Sequence, residues 1–187
     1  MLELSIKVGE KFNEETNEFI PEVVKVELEH SLLAASKWEA KYEIPFLDDK
    51  HEKTEDQLLD YIKMMIVTPG FSPDLFEDLL RKLPPKDARE TVETINNYIS
   101  KKHTATWFRD ENSKPNRETI TTELIYYWMF SSHIPIKCEE WNLNRLLTLI
   151  KIVSIKSQPE KKMSRAEVMQ RNRALNAQRR AKFKTRG

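Results

Sequence analysis

The scarcity of glycine limits the folds open to this chain more than any other feature. Only three of the 187 residues are glycine, Gly9, Gly70 and Gly187, and they lie far apart. Rossmann and P-loop nucleotide sites need clustered glycines, because their backbone approaches phosphate groups closely. Folds made of many short strands need glycine at their turns. Both classes are therefore disfavoured, and the spacing of the apolar residues has to indicate the architecture.

The first residues carry a strand pattern. Residues 2–8 alternate between apolar and polar side chains, which is the period of a half-buried strand. A polar stretch at 13–17 indicates a turn, and apolar residues resume just before Pro21. The segment predicts a small N-terminal β-hairpin, with an edge that is a candidate for pairing with another subunit.

Helical spacing of apolar residues follows over most of the chain. Leu28, Leu32 and Ala35 share a helical face, so the first helix is expected to begin near Lys25. We interpret Trp107 and Phe108 as part of a connector that fills the core. Further helices are predicted after the capping sequences at Thr54 and Ser72, over 86–102, from about Ile120, and from Glu139 to about Ser157.

These patterns predict a mainly α protein: a multi-helix bundle with a small N-terminal β-hairpin and a basic C-terminal helix. We expect a helical domain over 1–157 and a basic tail over 158–187, with a helix at about 165–182. No apolar run approaches the roughly 18 residues of a membrane helix, so no membrane partner is expected.

The charges are divided unevenly between these two parts. Residues 156–187 contain 11 Lys or Arg and two Glu, a net charge of +9, whereas residues 1–155 have a net charge of −8. The tail is therefore predicted to contact nucleic-acid phosphates or an acidic protein surface, on this chain or on a neighbour. Its candidate contact residues are Lys161, Lys162, Arg165, Arg171, Arg173, Arg179, Arg180, Lys182 and Lys184.

No constellation of residues in the sequence indicates catalysis. The four histidines are scattered and show none of the helical spacings that place two imidazoles on one metal ion. Cys138 is the only cysteine, and its acidic neighbours Glu139 and Glu140 oppose formation of a thiolate. We therefore expect no catalytic residues, no metal and no cofactor, and an enzyme is disfavoured.

A block of aromatic residues is the candidate partner-binding site. Tyr126, Tyr127 and Trp128 are consecutive, so one helix cannot direct all three toward the core. We interpret the segment as a central helix in which Tyr126 or Tyr127 reaches a second interface, where it would anchor a partner helix or stack on bases. The candidate partner-binding residues are Tyr126, Tyr127, Met129 and Trp141.

Several short motifs, taken together, resemble one family. The motifs are LEHSL at 28–32, SKWE at 36–39, PF at 45–46, TATWF at 104–108, ELIYYWM at 123–129, WNLNRLLTLI at 141–150, KMS at 162–164 and LNAQRR at 175–180. They are distributed over residues 28–182, nearly the whole chain. The family they resemble is encoded in the structural-gene regions of tailed bacteriophages, where several members are labelled tail assembly chaperones.

The resemblance implies a mainly helical, non-enzymatic protein in the cytoplasm of an infected bacterium. Its partners would be phage tail proteins, above all the tape measure protein, whose apolar helices such a holdase keeps soluble until tail-tube subunits polymerise around it. The resemblance brings no catalytic residues with it.

Two alternatives to the chaperone stay open. The second expectation is a structural virion protein, meaning a baseplate, neck or tail subunit that remains in the particle and associates with its neighbours. The third is a nucleic-acid-binding protein that acts through the basic tail.

Overall fold

The computed structural model describes residues 1–14, 17–48, 50–108, 119–157 and 165–183. Within these ranges an antiparallel hairpin precedes seven α-helices and one 3₁₀ helix, which confirms the predicted mainly α fold with an N-terminal hairpin. The elements are β1 (Leu2–Asn13), β2 (Glu18–Leu28), α1 (Leu32–Tyr42), α2 (Glu55–Met64), α3 (Pro73–Lys82), α4 (Pro85–Ser100), α5 (Thr122–Ser131), the 3₁₀ helix (Ile136–Glu140), α6 (Leu143–Ser157) and α7 (Arg165–Phe183).

The chain divides into two compact units, Met1–Val153 and Ser154–Gly187. The first unit contains the hydrophobic core, which the base of the hairpin and the helices after it enclose. Its largest fully buried side chains include Trp38 of α1, Tyr61 of α2, Phe76 of α3, Ile95 of α4, Ile125 and Met129 of α5, and Leu143 and Leu146 of α6. The second unit contains α7.

The first helix begins later than the apolar spacing suggested. Val26 and Leu28 belong to β2 and are fully buried, so the strand continues through the region predicted as helical. The side chain of Ser31 then accepts a hydrogen bond from the backbone N–H of Ala34, and this N-cap fixes the start of α1 at Leu32. The prediction of a helix from Lys25 is therefore wrong, because the alternating strand pattern extends to Leu28.

Trp107 does not fill the core as expected. Its side chain is 82% exposed, and the Lys102 ammonium lies 4.1 Å from the centre of the indole ring. Phe108 is half-buried, with the Lys151 ammonium 4.3 Å from its ring centre. Residues 102–108 form neither a helix nor a strand, and Trp107 remains on the surface.

Candidate partner-binding surface

Glu39 is a buried carboxylate with a structural role. It lies on α1 and is 7% exposed, and its Oε1 accepts a hydrogen bond from the Phe46 backbone N–H at 2.6 Å. Its Oε2 accepts two more, from the backbone N–H of Thr122 at 2.8 Å and from the Thr122 hydroxyl. One side chain thus joins α1 to the loop that follows it and to the start of α5.

A second group of buried and half-buried polar side chains surrounds the end of β2. Oε1 of Glu29 accepts hydrogen bonds from the Tyr98 hydroxyl at 2.7 Å and from Asn142 Nδ2 at 3.2 Å. His30 is 2% exposed and its Nδ1 shares a hydrogen bond with the Tyr61 hydroxyl. Burial favours the neutral imidazole and lowers the pKa of His30 to about 4, against the weaker opposing effect of the Glu29 charge.

These interior polar groups satisfy one another. Among the described residues, no buried side-chain nitrogen or oxygen lacks a hydrogen-bond partner. The same residues contain no group of three or more His, Cys, Asp or Glu side chains that could hold a metal ion. The hydrogen bonds of Glu29, His30 and Glu39 stabilise the fold.

The outer face of α5 exposes two large aromatic side chains. Thr122, Ile125 and Met129 are buried. Residues three and four apart lie on one side of a helix, so the opposite side carries Glu123, Tyr127 and Phe130. We call these three residues the outer face of α5. Tyr127 is 64% exposed and Phe130 is 63% exposed.

The structure corrects one predicted site residue on this helix. Met129 is fully buried in the core, so the expectation that it is a partner-binding residue is wrong. The helix is apolar on nearly every side, and its apolar spacing therefore gave no indication of which side faces inward. Phe130 was not among the predicted site residues, although its position three residues after Tyr127 places both on one face.

Tyr126 and Trp141 each contact a particular side chain of the same chain. Tyr126 is half-buried and its hydroxyl donates to Glu139 Oε2 at 2.8 Å, which ties α5 to the 3₁₀ helix. Burial raises the pKa of the Tyr126 hydroxyl, and its hydrogen bond to the Glu139 carboxylate raises it further. Trp141 is 40% exposed, and the Arg145 guanidinium lies 4.7 Å from its ring centre.

The basic helix was predicted at about 165–182 and is present as α7 at Arg165–Phe183. Its predicted contact residues Arg165, Arg171, Arg173, Arg179, Arg180 and Lys182 are exposed, and Lys161, Lys162 and Lys184 lie outside the described residues.

One side of α7 combines basic and apolar residues. Val168, Arg171, Leu175, Arg179 and Lys182 follow at helical spacing, and Val168 and Leu175 are both 41% exposed. Contact of this side of α7 with an acidic protein surface and contact with nucleic acid both stay predictions.

The candidate site is therefore a surface, made of the outer face of α5. In the part of the chain that the structure describes, no helix has both the length and the apolar character needed to cross a membrane. Comparisons with protein-family models, with curated proteins and with solved structures give no match to this chain.

Proposed function

We propose that this chain is a non-enzymatic tail assembly factor of a bacteriophage, which holds the apolar helices of the tape measure protein in the cytoplasm of the infected cell. The phage tail context rests on the sequence resemblance, and the observation that carries the binding role is the exposure of Tyr127 and Phe130 side by side on α5. Exposed aromatic pairs mark protein-binding surfaces, because aromatic side chains supply much of the binding energy at interfaces.

The chemistry of this face suits transient binding. Burial of an aromatic side chain contributes about 1.5–3 kcal/mol, so two such anchors give weak and reversible attachment to one apolar helix. Glu123 keeps the edge of the face charged, which opposes aggregation of the free protein. Many copies bound along one long client gain strength through avidity.

The test is to remove both aromatic rings and measure the holding of a client. The double variant Tyr127→Ser/Phe130→Ser is expected to bind the tape measure protein at least about tenfold more weakly, because the loss of two anchors exceeds 1.4 kcal/mol. Suppression of tape measure aggregation, followed by light scattering at equal chaperone concentrations, is expected to fall with it.

A matched control separates binding by the outer face of α5 from nonspecific binding by exposed apolar side chains elsewhere. Val67 and Leu75 are 44% and 43% exposed and lie outside α5, so Val67→Ser/Leu75→Ser removes exposed apolar area elsewhere. We expect the control variant to hold the client as well as the unmodified chain does. Equal loss in both variants, or no loss in the α5 variant, would show that the outer face of α5 is not the client site.

A further inference from the structure

The hairpin contains an irregularity that changes which residues share a face. Pairs from Leu2↔Leu28 to Lys7↔Val23 follow one register, and pairs from Gly9↔Glu22 to Asn13↔Glu18 follow another. Val8 is therefore an extra residue in β1, a β-bulge. Because successive side chains alternate between the two faces of a strand, one extra residue reverses the facing of every β1 side chain beyond it.

The bulge moves the apolar side chains from one face of the hairpin to the other. At the base of the hairpin, Ile6 and Val26 are buried on the core side. Beyond the bulge, Val23, Pro21 and Phe19 of β2 lie on the opposite face of the hairpin. Phe12 of β1 lies on that face too, because it pairs with Phe19. We call the four residues Phe12, Phe19, Pro21 and Val23 the arm face.

Two contacts support this assignment of faces. The Phe12 and Phe19 ring centres are 5.2 Å apart, as expected for cross-strand neighbours on one face. Lys7 Nζ lies 2.5 Å from Glu10 Oε1, although residues three apart on an unbroken strand point to opposite faces. The bulge between them brings both side chains to the side of the arm face.

The arm face is exposed and adds little to the core of its own chain. Phe12, Phe19 and Val23 are 45%, 67% and 44% exposed. The neighbouring Lys7 and Glu10 form an ion pair, so these two residues add no net charge beside the arm face and do not repel a second copy.

We propose that the arm face is a self-association surface, which packs against the same face of a second copy of this chain. The sequence suggested pairing through a strand edge, whereas these contacts favour packing through a face. A face-to-face pair in which each patch is its own complement has the twofold symmetry of most protein dimers.

The size of the face predicts a weak dimer. At about 150–250 Å² per aromatic side chain, the exposed parts of Phe12 and Phe19, together with Pro21 and Val23, amount to roughly 250–400 Å² per copy. Two copies would bury roughly 500–800 Å², below the about 1,200 Å² of a standard stable interface. Dimers should therefore form in a concentration-dependent way and dissociate readily.

Single cysteines on the two faces of the hairpin test the proposal. The native Cys138 is buried, which protects it from a crosslinker. Val23→Cys places a thiol on the arm face, and Ile20→Cys places one on the opposite face at a similar exposure, 44% against 48% for the native side chains. With a short bis-maleimide, we expect Val23→Cys to give several-fold more covalent dimer than Ile20→Cys, and the yield to rise with protein concentration.

Sedimentation velocity provides the second measurement. The unmodified chain is expected to shift from monomer toward dimer as concentration rises, and Phe12→Ser/Phe19→Ser to remove that shift while circular dichroism stays unchanged. Equal crosslinking from both faces, or a dimer that survives the phenylalanine substitutions, would overturn the proposal. Tyr127→Ser/Phe130→Ser should leave the dimer intact, so failure of the proposed client site and failure of this surface are separable.

Discussion

Replacing Glu39 with alanine is expected to lower the free energy of unfolding by about 3–5 kcal/mol, because three buried donors lose their acceptor at about 1–3 kcal/mol each, less partial relaxation. The donors are the backbone N–H groups of Phe46 and Thr122 and the Thr122 hydroxyl. Because Glu39 is only 7% exposed, water does not easily take the place of its carboxylate as the acceptor for these donors.

Urea unfolding, followed by tryptophan fluorescence, measures this effect. The free energy of unfolding of Glu39→Gln is expected to lie between those of the native chain and Glu39→Ala, since the amide retains one acceptor oxygen for three donors. The matched control is Glu93→Ala, which removes an exposed glutamate from α4 and should change the free energy of unfolding by less than about 0.5 kcal/mol. Equal stability of Glu39→Ala and Glu93→Ala would contradict the role of Glu39 as a structural acceptor.

Acidification is expected to destabilise the fold well before most carboxylates become protonated, because of His30. Its pKa is about 4 in the folded chain and about 6.5 in an unfolded one, so between these values the unfolded state binds a proton that the native state does not. Above pH 6.5 His30 is neutral in both states, so it does not change the free energy of unfolding. As pH falls from 6.5 to 4, this group alone is expected to remove about 3 kcal/mol.

The contribution of His30 is separated from that of the other titrating groups by comparing how steeply stability changes with pH in the native chain and in a His30 variant. His30→Gln keeps a polar partner for the Tyr61 hydroxyl and cannot take up a proton, so its stability should change less steeply between pH 6.5 and 4. Urea midpoints at half-unit pH steps provide both slopes. Parallel slopes for the native chain and the variant would mean that His30 does not stay neutral in the folded state.

Much of the architecture was predictable from local sequence patterns. Period-two alternation located β1, and capping residues located helix starts: Thr54 accepts from the Gln57 N–H, and the Gln57 side chain accepts from the Thr54 N–H. The spacing after Arg165 likewise indicated α7. These signals are local, because caps and periodicity depend on residues within a few positions of one another.

The features that local patterns did not predict depend on contacts between residues far apart in the chain. Gly9, directly after Val8, is a residue type that often marks a bulge inside a strand, but the effect of the bulge on the two faces appears only when β1 is paired with β2. The partners of Glu39 include Thr122, which lies 83 positions away in the chain. The inward side of α5 was likewise decided by what packs on it, since apolar residues occur all round that helix.

The structural virion subunit is the alternative that shares the most features with the proposed holdase. Both need exposed apolar side chains, and the arm face would serve to join neighbouring subunits in a particle as well as copies of a chaperone. Binding assays alone do not separate them, because each would bind tail proteins. The two differ in where the protein is found once assembly is finished.

Quantitative mass spectrometry of purified phage particles, beside the lysate of the infected cells, tests the proposed function most directly. An assembly holdase leaves its client when the tail tube closes around it, so we expect the chain in the lysate and its absence from the particles. A fixed copy number per particle, comparable with that of known tail subunits, would contradict the holdase and identify a structural component of the virion.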